Sequence, residues 1–364
     1  MSEIRVELGK RSYTIRVEPD SLGRAGETLK ECWLGRCAFL FTHPALVEPY
    51  AQPVANNLRD QGCEAFIIET PAGERFKTMR TVLRLYQRLA EMGADRSSLI
   101  ISVGGGVLGD VAGFVAATYM RGTAFAQVPT TLLAQVDASI GGKVGVDLPF
   151  AKNMVGAFHQ PVAVLIDPMT LKTLPLRELR CGIAEVIKYG IIASESFYGE
   201  IKSTIRPLLR REPSALQGAI AGSCKIKANI VAEDETEQGR RAILNFGHTV
   251  GHALEVVTGY RRYKHGEAVA IGMITALIIG EMVGTTPVGI REDVALLLQS
   301  AGLPVEFPLD IPAEAVSQAT RMDKKRVADR MRFILVPKIG EAIVTSEVTV
   351  EILREAIRRH QCVK

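Results

Sequence analysis

The chain has 364 residues, 47% apolar and 23% charged, with a formal net charge of +4. This composition excludes a disordered chain, and the length exceeds what a single core usually organises, so two domains are expected. The positive charge is spread along the sequence without a basic run interleaved with aromatics, which argues against a nucleic-acid surface and leaves room for a locally basic pocket for a small anion.

Six cysteines stand at 32, 37, 63, 181, 224 and 362. None forms a Cys-x-x-Cys pair, so free thiols in a reducing cytoplasm are expected rather than a zinc knuckle. The N-terminus lacks the apolar stretch of a secretory signal. The two most apolar segments, 99–119 and 268–284, are respectively glycine-rich with Asp110 inside, and short and cut by Glu281. Neither is expected to span a membrane.

Residues 3–18 alternate apolar and polar, as a half-buried strand or hairpin does. Cys37 to Thr42 is an apolar run stopping before Pro44, which suits a buried parallel strand. A helical pattern follows over 46–61, then a strand from Glu64 to Glu69. Residues 78–92 form an amphipathic helix expected to bury Leu83, Leu85 and Leu89. Leu99 to Val103 is a third apolar strand, running into a glycine-rich turn and a helix of small residues. Strands alternating with helices predict a parallel sheet covered on both faces. After about residue 175 helical patterns dominate, with Leu174-Pro175 as the boundary and one late strand at Arg332 to Val336. The basic end, Arg358-Arg359-His360, reads as a solvated helix end.

Gly104-x-Gly106-x-x-Gly109 matches the dinucleotide fingerprint and sits after a strand and before a helix, where pyrophosphate can approach backbone N–H groups. The usual acidic residue about twenty positions on is missing, but Asp110 ends the loop and can hold a ribose or nicotinamide group. Ser139-Ile140-Gly141-Gly142-Lys143 fails the P-loop pattern, since Asp137 replaces its first glycine and Val144 its Ser/Thr. It can still cradle an anion. Lys143, Lys152, Lys188, Lys227, Arg121 and Arg241 each lie beside glycine or apolar sequence.

His248 and His252, four apart, share one helix face. With His265 and the upstream Glu185 they supply imidazoles and a carboxylate for a divalent metal with a position left open, the pattern of a catalytic zinc site. Spacing alone leaves open which two histidines coordinate.

Together these stretches resemble the 3-dehydroquinate synthase family of sugar-phosphate cyclases over nearly the whole chain. The resemblance rests on Ala72 to Lys77, Gly104 to Asp110, Tyr119 to Gly122, Pro129 to Lys143, Lys152-Asn153, Thr173 to Pro175, Glu185 to Lys188, Asn245 to His252, His265 to Glu267 and Asp323 to Lys325. It implies an α/β, Rossmann-like NAD-binding domain over 1–174 and an all-α metal- and substrate-binding domain over 175–364.

Carried over residue by residue, Glu185, His248 and His265 would bind zinc or cobalt, and His252 would contact substrate. Glu74, Lys77, Gly106, Val107, Leu108, Gly109, Asp110, Thr130, Thr131, Lys143, Lys152, Thr170, Leu171, Lys172 and Thr173 would serve NAD. Asp137, Lys143, Asn153, Lys188, Lys227, Arg241 and Asn245 would hold a sugar-phosphate substrate, with Lys324 or Lys325 as a further contact. Arg121 would reach a neighbouring subunit's substrate, which implies a homodimer. Some relatives carry an acidic residue where this chain has Thr42-His43-Pro44, so Glu74 is left to carry a ribose contact. The implied reaction is cyclisation of 3-deoxy-D-arabino-heptulosonate 7-phosphate to 3-dehydroquinate. Its rivals are a sister cyclase making 2-deoxy-scyllo-inosose or a valiolone, a metal-dependent alcohol or glycerol dehydrogenase, and a non-catalytic nucleotide binder.

Overall fold

The computed structural model describes residues 1–149, 151–322, 326–327 and 330–362. Lys324 and Lys325 lie outside the described residues. The chain divides into two compact units, Met1–Leu174 with Leu216–Thr236, and Pro175–Ala215 with Glu237–Lys364.

The first unit is built on a sheet of seven strands. In chain order its strands are β1 (Ser2–Val6), β2 (Tyr13–Val17), β3 (Cys37–Thr42), β4 (Glu64–Glu69), β5 (Leu99–Gly104) and β6 (Ala124–Pro129). A separate hairpin, β7 (Lys143–Leu148) with β8 (Ala151–Phe158), precedes the last sheet strand, β9 (Ala163–Ile166). The order across the sheet is β1-β2-β9-β6-β5-β3-β4. All its pairings are parallel except the β1–β2 hairpin.

Successive strand residues point to opposite faces, and here both faces are covered. Leu40, Ile101 and Val128 pack with Leu29, Val54 and Leu58 of helices α1 (Ala25–Cys32) and α2 (Gln52–Asp60). Phe39, Phe41, Ile100 and Phe125 pack instead with Leu85, Leu89, Val111 and Val115 of helices α3 (Met79–Glu91) and α4 (Gly106–Thr118). Burial on both faces is why β3 and β5 read as unbroken apolar runs. In α3 the inward residues are Val82, Leu85 and Leu89, whereas Leu83 is 60% exposed, contrary to expectation. The spacing i, i+3, i+7 leaves Leu83 off the apolar stripe.

Strand order reverses between β3 and β5, since β4 lies on one side of β3 and β5 on the other. The crevice beyond the carboxyl ends at such a switch point is where open α/β sheets bind ligands.

The second unit is mainly helical. It contains α5 (Leu176–Ala193), α6 (Glu195–Leu209), the start of α7 (Pro213–Glu233), α8 (His248–Val257), α9 (His265–Met282), α10 (Ile290–Ser300), α11 (Ala313–Met322) and α12 (Val350–Cys362). From Leu216 on, α7 belongs to the first unit, where the Cys224 thiol donates to the Gln135 carbonyl. A helical pattern does not say which core it joins, so sequence could not show this crossing.

The second unit is not purely helical. Arg330–Lys338 pairs with Glu341–Val348 and with Arg326–Val327 in a three-stranded sheet. One strand of it was expected, and Pro337 coincides with an irregularity in the register between Leu335 and Lys338, as a residue without an N–H must.

Two glycines set how closely these helices approach. A Cβ on Gly272 of α9 would overlap the Gly247 carbonyl at the start of α8, and one on Gly266 would overlap the Cys181 backbone of α5. α9 is long and apolar enough to cross a membrane by length and composition, but 78% of it is buried inside the protein. His360 also departs from expectation. It is buried on the inner face of α12 with Leu353 and Ile357, while Arg358 and Arg359 remain exposed.

Candidate active site and metal centre

Glu185 lies mid-way along α5, His248 opens α8 and His265 opens α9. The close helix approaches described above bring the three together. Glu185 Oε1 stands 3.7 Å from His248 Nε2 and 3.6 Å from His265 Nε2. These separations are too long for hydrogen bonds. Two ligands sharing a tetrahedral zinc at its usual bond lengths stand ~3.4 Å apart, so the donors fit a common ion.

His248 faces its Nδ1 to the Phe246 carbonyl at 3.1 Å, which fixes that nitrogen as the N–H and turns the Nε2 lone pair toward Glu185. Burial, and then the Lys188 ammonium, hold this imidazole well below its ordinary pKa, so it is neutral as a ligand must be. Burial also pushes His265 down, but the Glu185 and Glu255 carboxylates outweigh it and raise it to about 10. Positive charge is therefore favoured at this point, and a divalent cation would supply it. Residues, charge and tautomer fit a metal with two imidazoles and one carboxylate.

His252 follows one turn after His248, with ring centroids 5.3 Å apart, and is exposed. His252, Glu255 and His265 offer a second, overlapping set of donors. In it Glu255 Oε1 lies 3.6 Å from His265 Nδ1, the nitrogen turned away from Glu185. Glu255 was not singled out from sequence. Its spacing from His248 and His252, on the same face of α8, was the available signal.

Lys188 is buried against the Glu185 carboxylate. In the same unit Arg241 is buried, and Asn245 donates to Glu237 Oε1 and to the Ala242 carbonyl. Glu237 is another partner that sequence reasoning missed.

In the first unit, Lys227 Nζ donates to both the carbonyl and the carboxylate of Asp137, each at 2.6 Å. Lys143 opens β7 with an exposed side chain. Arg121 is exposed in a turn where Met120, Arg121 and Gly122 all have positive φ (51°, 64° and 119°).

The dinucleotide turn lies at the switch-point crevice. Gly105 caps α4, and Gly106, Val107 and Leu108 form its first turn, so their backbone N–H groups are those a helix start offers to an anion. The Leu108 side chain is buried, and only its backbone can serve a ligand. Asp110 accepts from Lys77 Nζ at 2.5 Å, and the same ammonium donates to Asn153 Oδ1 at 2.6 Å. Burial works against both charges of the pair, raising Asp110 while its partner keeps Lys77 above its ordinary value. Lys152 pairs with Glu74 at 2.9 Å. Lys77, Asp110 and Asn153 thus form one bonded group, and the Lys152–Glu74 pair adjoins it through the neighbouring residue 152.

Thr130 donates its N–H to the Gly104 carbonyl, and the Thr131 hydroxyl accepts from the Ala134 amide. Gln135 Nε2 ties the carbonyls of Pro129 and Asp167 to the Thr170 hydroxyl, so the turn Pro168–Thr173 sits beside the end of β6. Leu171 is buried, Lys172 is exposed, and Thr173 bonds to Tyr50. At the end of β3, His43 Nδ1 lies 3.0 Å from the Thr70 carbonyl.

The chain is similar in sequence and fold to known proteins. The model described as 3-dehydroquinate synthase N-terminal matches residues 67–181, and 3-dehydroquinate synthase C-terminal matches 182–326. The chain is 47% identical over 355 residues to a 3-dehydroquinate synthase of Pelotomaculum thermopropionicum, covering 98% of this chain and 96% of the relative. It is 43% identical over 359 residues to one of Nostoc punctiforme, covering 98% and 99%. Among solved structures it is similar to 2-deoxy-scyllo-inosose synthase complexed with carbaglucose-6-phosphate, NAD+ and Co2+, at TM-score 0.89 and 26% identity over 98% of this chain and 100% of that one. The 2-epi-5-epi-valiolone synthase of Streptomyces hygroscopicus, with NAD+ and Zn2+ bound, gives TM-score 0.87 and 26% identity over 97% and 98%. A glycerol dehydrogenase of Schizosaccharomyces pombe, at TM-score 0.72 and 15% identity over 96% and 88%, shares the fold.

Proposed function

This chain belongs to the 3-dehydroquinate synthase family, and we propose that it converts 3-deoxy-D-arabino-heptulosonate 7-phosphate to 3-dehydroquinate and phosphate. The observation that carries the reading is the set Glu185, His248 and His265 with the Lys188 ammonium buried against it. An uncharged alcohol needs no such cation, whereas a departing phosphate does.

Glu185, His248 and His265 would hold zinc or cobalt, which would supply acidification of a substrate hydroxyl, and NAD would supply reversible hydride transfer. Lys77, held by Asp110 and Asn153, orders the cofactor side of the first unit together with Glu74, Lys152, the turn from Gly106 to Asp110, Thr130, Thr131 and the segment from Thr170 to Thr173. Lys188, Lys143, Asn153 and Arg121 are assigned to the phosphate, where negative charge accumulates as it leaves. The substrate's own phosphate takes the proton in that elimination. Arg241, Asn245, Lys227, Asp137 and His252 are assigned to the remainder of the substrate, its carboxylate included.

Arg121 is read as acting across a homodimer. Its exposed, left-handed turn presents it outward rather than to its own fold. Six free cysteines favour a reducing cytoplasm.

The test is product identity with three substrates. The heptulosonate phosphate is expected to give dehydroquinate, while glucose 6-phosphate and sedoheptulose 7-phosphate give no cyclitol. A cyclitol from either sugar phosphate, with no dehydroquinate, would move the chain to a sister activity.

A further inference from the structure

The turn that carries Lys143 is held from several sides. Lys227 Nζ donates to the Asp137 carbonyl at 2.6 Å, and Gln127 Nε2 to the Ser139 carbonyl at 3.0 Å. The His159 amide donates to the Gly142 carbonyl at 2.8 Å. The Gln160 amide lies against Gly142, so close that a Cβ there would stand 2.6 Å from it. Gln160 is itself held by Glu235 at 2.9 Å, which pairs with Arg11 at 2.6 Å. Gly141 and Gly142 have φ of 95° and 66°, in the left-handed region, so the turn keeps its shape through glycine and through these bonds.

One of these ties comes from far away in the sequence. The Gly141 N–H donates to the phenol oxygen of Tyr13, in β2, at 3.1 Å. Both groups are buried, Tyr13 being 1% exposed. A phenylalanine would fill the same apolar space, and it would leave a buried amide without this acceptor. The sequence pattern marks residues 3–18 as a half-buried strand or hairpin and carries no sign of this bond.

We propose that Tyr13 is a positioning residue for the reaction: its phenol oxygen fixes the Gly141–Gly142 turn and thereby aims Lys143 at the phosphate-bearing substrate. The N-terminal hairpin then belongs to the catalytic apparatus as well as to the sheet. A supporting group one turn removed matters because binding groups must be held to a fraction of an ångström. The inference rests on the reading of Lys143 as a substrate contact.

The test is a double-mutant cycle in the full-length enzyme with NAD and metal, using Tyr13→Phe, Lys143→Met and both together. The readouts are kcat/KM for the heptulosonate phosphate and melting temperature. Tyr13→Phe is expected to lower kcat/KM roughly tenfold or more. In the Lys143→Met background it is expected to change kcat/KM less than about twofold, because the two residues act as one unit. If both single variants are impaired and their effects multiply, Tyr13 does not act through Lys143 and the inference falls while the Lys143 reading stands. The inference also falls if Tyr13→Phe only lowers the melting temperature. If Lys143→Met keeps full kcat/KM, the Lys143 reading falls and takes the inference with it. Independently of any variant, the Gly141 amide is expected to exchange slowly with solvent in the native enzyme, and fast exchange there would contradict the proposal.

Discussion

The Lys188 ammonium rests on the Glu185 carboxylate one helical turn earlier, and neither side chain is more than 1% exposed. Removing one member of a buried pair leaves the other charge uncompensated, at a cost of about 3–5 kcal/mol. Lys188→Met is therefore expected to lower the melting temperature of the metal-free protein. Added zinc should restore most of that loss, because the cation takes over as partner of Glu185. Activity should not return with stability: phosphate release is expected to stay roughly 100-fold or more below the unaltered enzyme. Melting curves with and without zinc, beside a phosphate assay, check both halves. A zinc-independent collapse in stability with unchanged specific activity would make Lys188 a structural lysine.

Metal affinity should follow the donor set. His265→Ala is expected to abolish metal-dependent turnover while NAD titration stays normal. Glu255→Ala, which removes the carboxylate 3.6 Å from His265 Nδ1, is expected to weaken metal binding by about 10- to 100-fold. Calorimetric titration with zinc measures both, and unchanged affinity in His265→Ala would remove this histidine from the site.

The glycine contact between α8 and α9 links stability to the metal centre. Gly272→Ala would drive a methyl group into the Gly247 carbonyl. It is expected to cost about 1–3 kcal/mol or more and to weaken zinc binding, since the same contact sets the spacing of His248 and His265. Denaturant unfolding of the metal-free protein separates the two effects. Normal zinc affinity in a folded variant would show that the spacing tolerates the methyl.

His360 gives the fold an acid-sensitive point. Burial lowers its pKa to about 4, outweighing the Val305 carbonyl that accepts from its Nε2 at 2.7 Å. The unfolded value is about 6.5, so the unfolded chain takes up a proton first as pH falls. The stability contribution is thus fully present above about pH 6.5 and is lost as pH falls toward 4, a change of roughly 3 kcal/mol. His360→Gln is expected to flatten the decline between those limits in urea melts. An equally steep decline in that variant would place the titrating group elsewhere.

The cross-subunit reading of Arg121 predicts complementation. Arg121→Ala and Lys188→Met should each be nearly inactive alone, and mixed subunits should regain activity because one site in the mixed dimer is then intact. No recovery after verified subunit exchange would confine Arg121 to its own chain.

Much of the fold was legible because the strands of the first unit are buried on both faces. Cys37 to Thr42 and Leu99 to Val103 announce themselves as apolar runs ended by Pro44 and by glycine. Glu185 and the three histidines were legible as metal chemistry, but their spacing alone did not say which histidines face the carboxylate, a choice only the family resemblance supplied. That choice depends on Gly272 and Gly266 letting helices approach, and on Phe246 turning His248, which are relations through space. Leu83 was misplaced by one position against Val82, since an apolar residue beside the stripe looks the same as one on it. His360 reads as solvated because its neighbours are arginines, yet it continues the inward spacing of Leu353 and Ile357. The bond between Tyr13 and Gly141 had no sequence signal, because a strand tyrosine reads as packing until its oxygen is seen against an amide.

The most direct test of the central claim is phosphate release from 3-deoxy-D-arabino-heptulosonate 7-phosphate with catalytic NAD, before and after chelation and with zinc or cobalt restored. The account predicts metal-dependent release, dehydroquinate as product, and no net accumulation of NADH. Release that survives complete chelation, or stoichiometric NADH without phosphate, would contradict it.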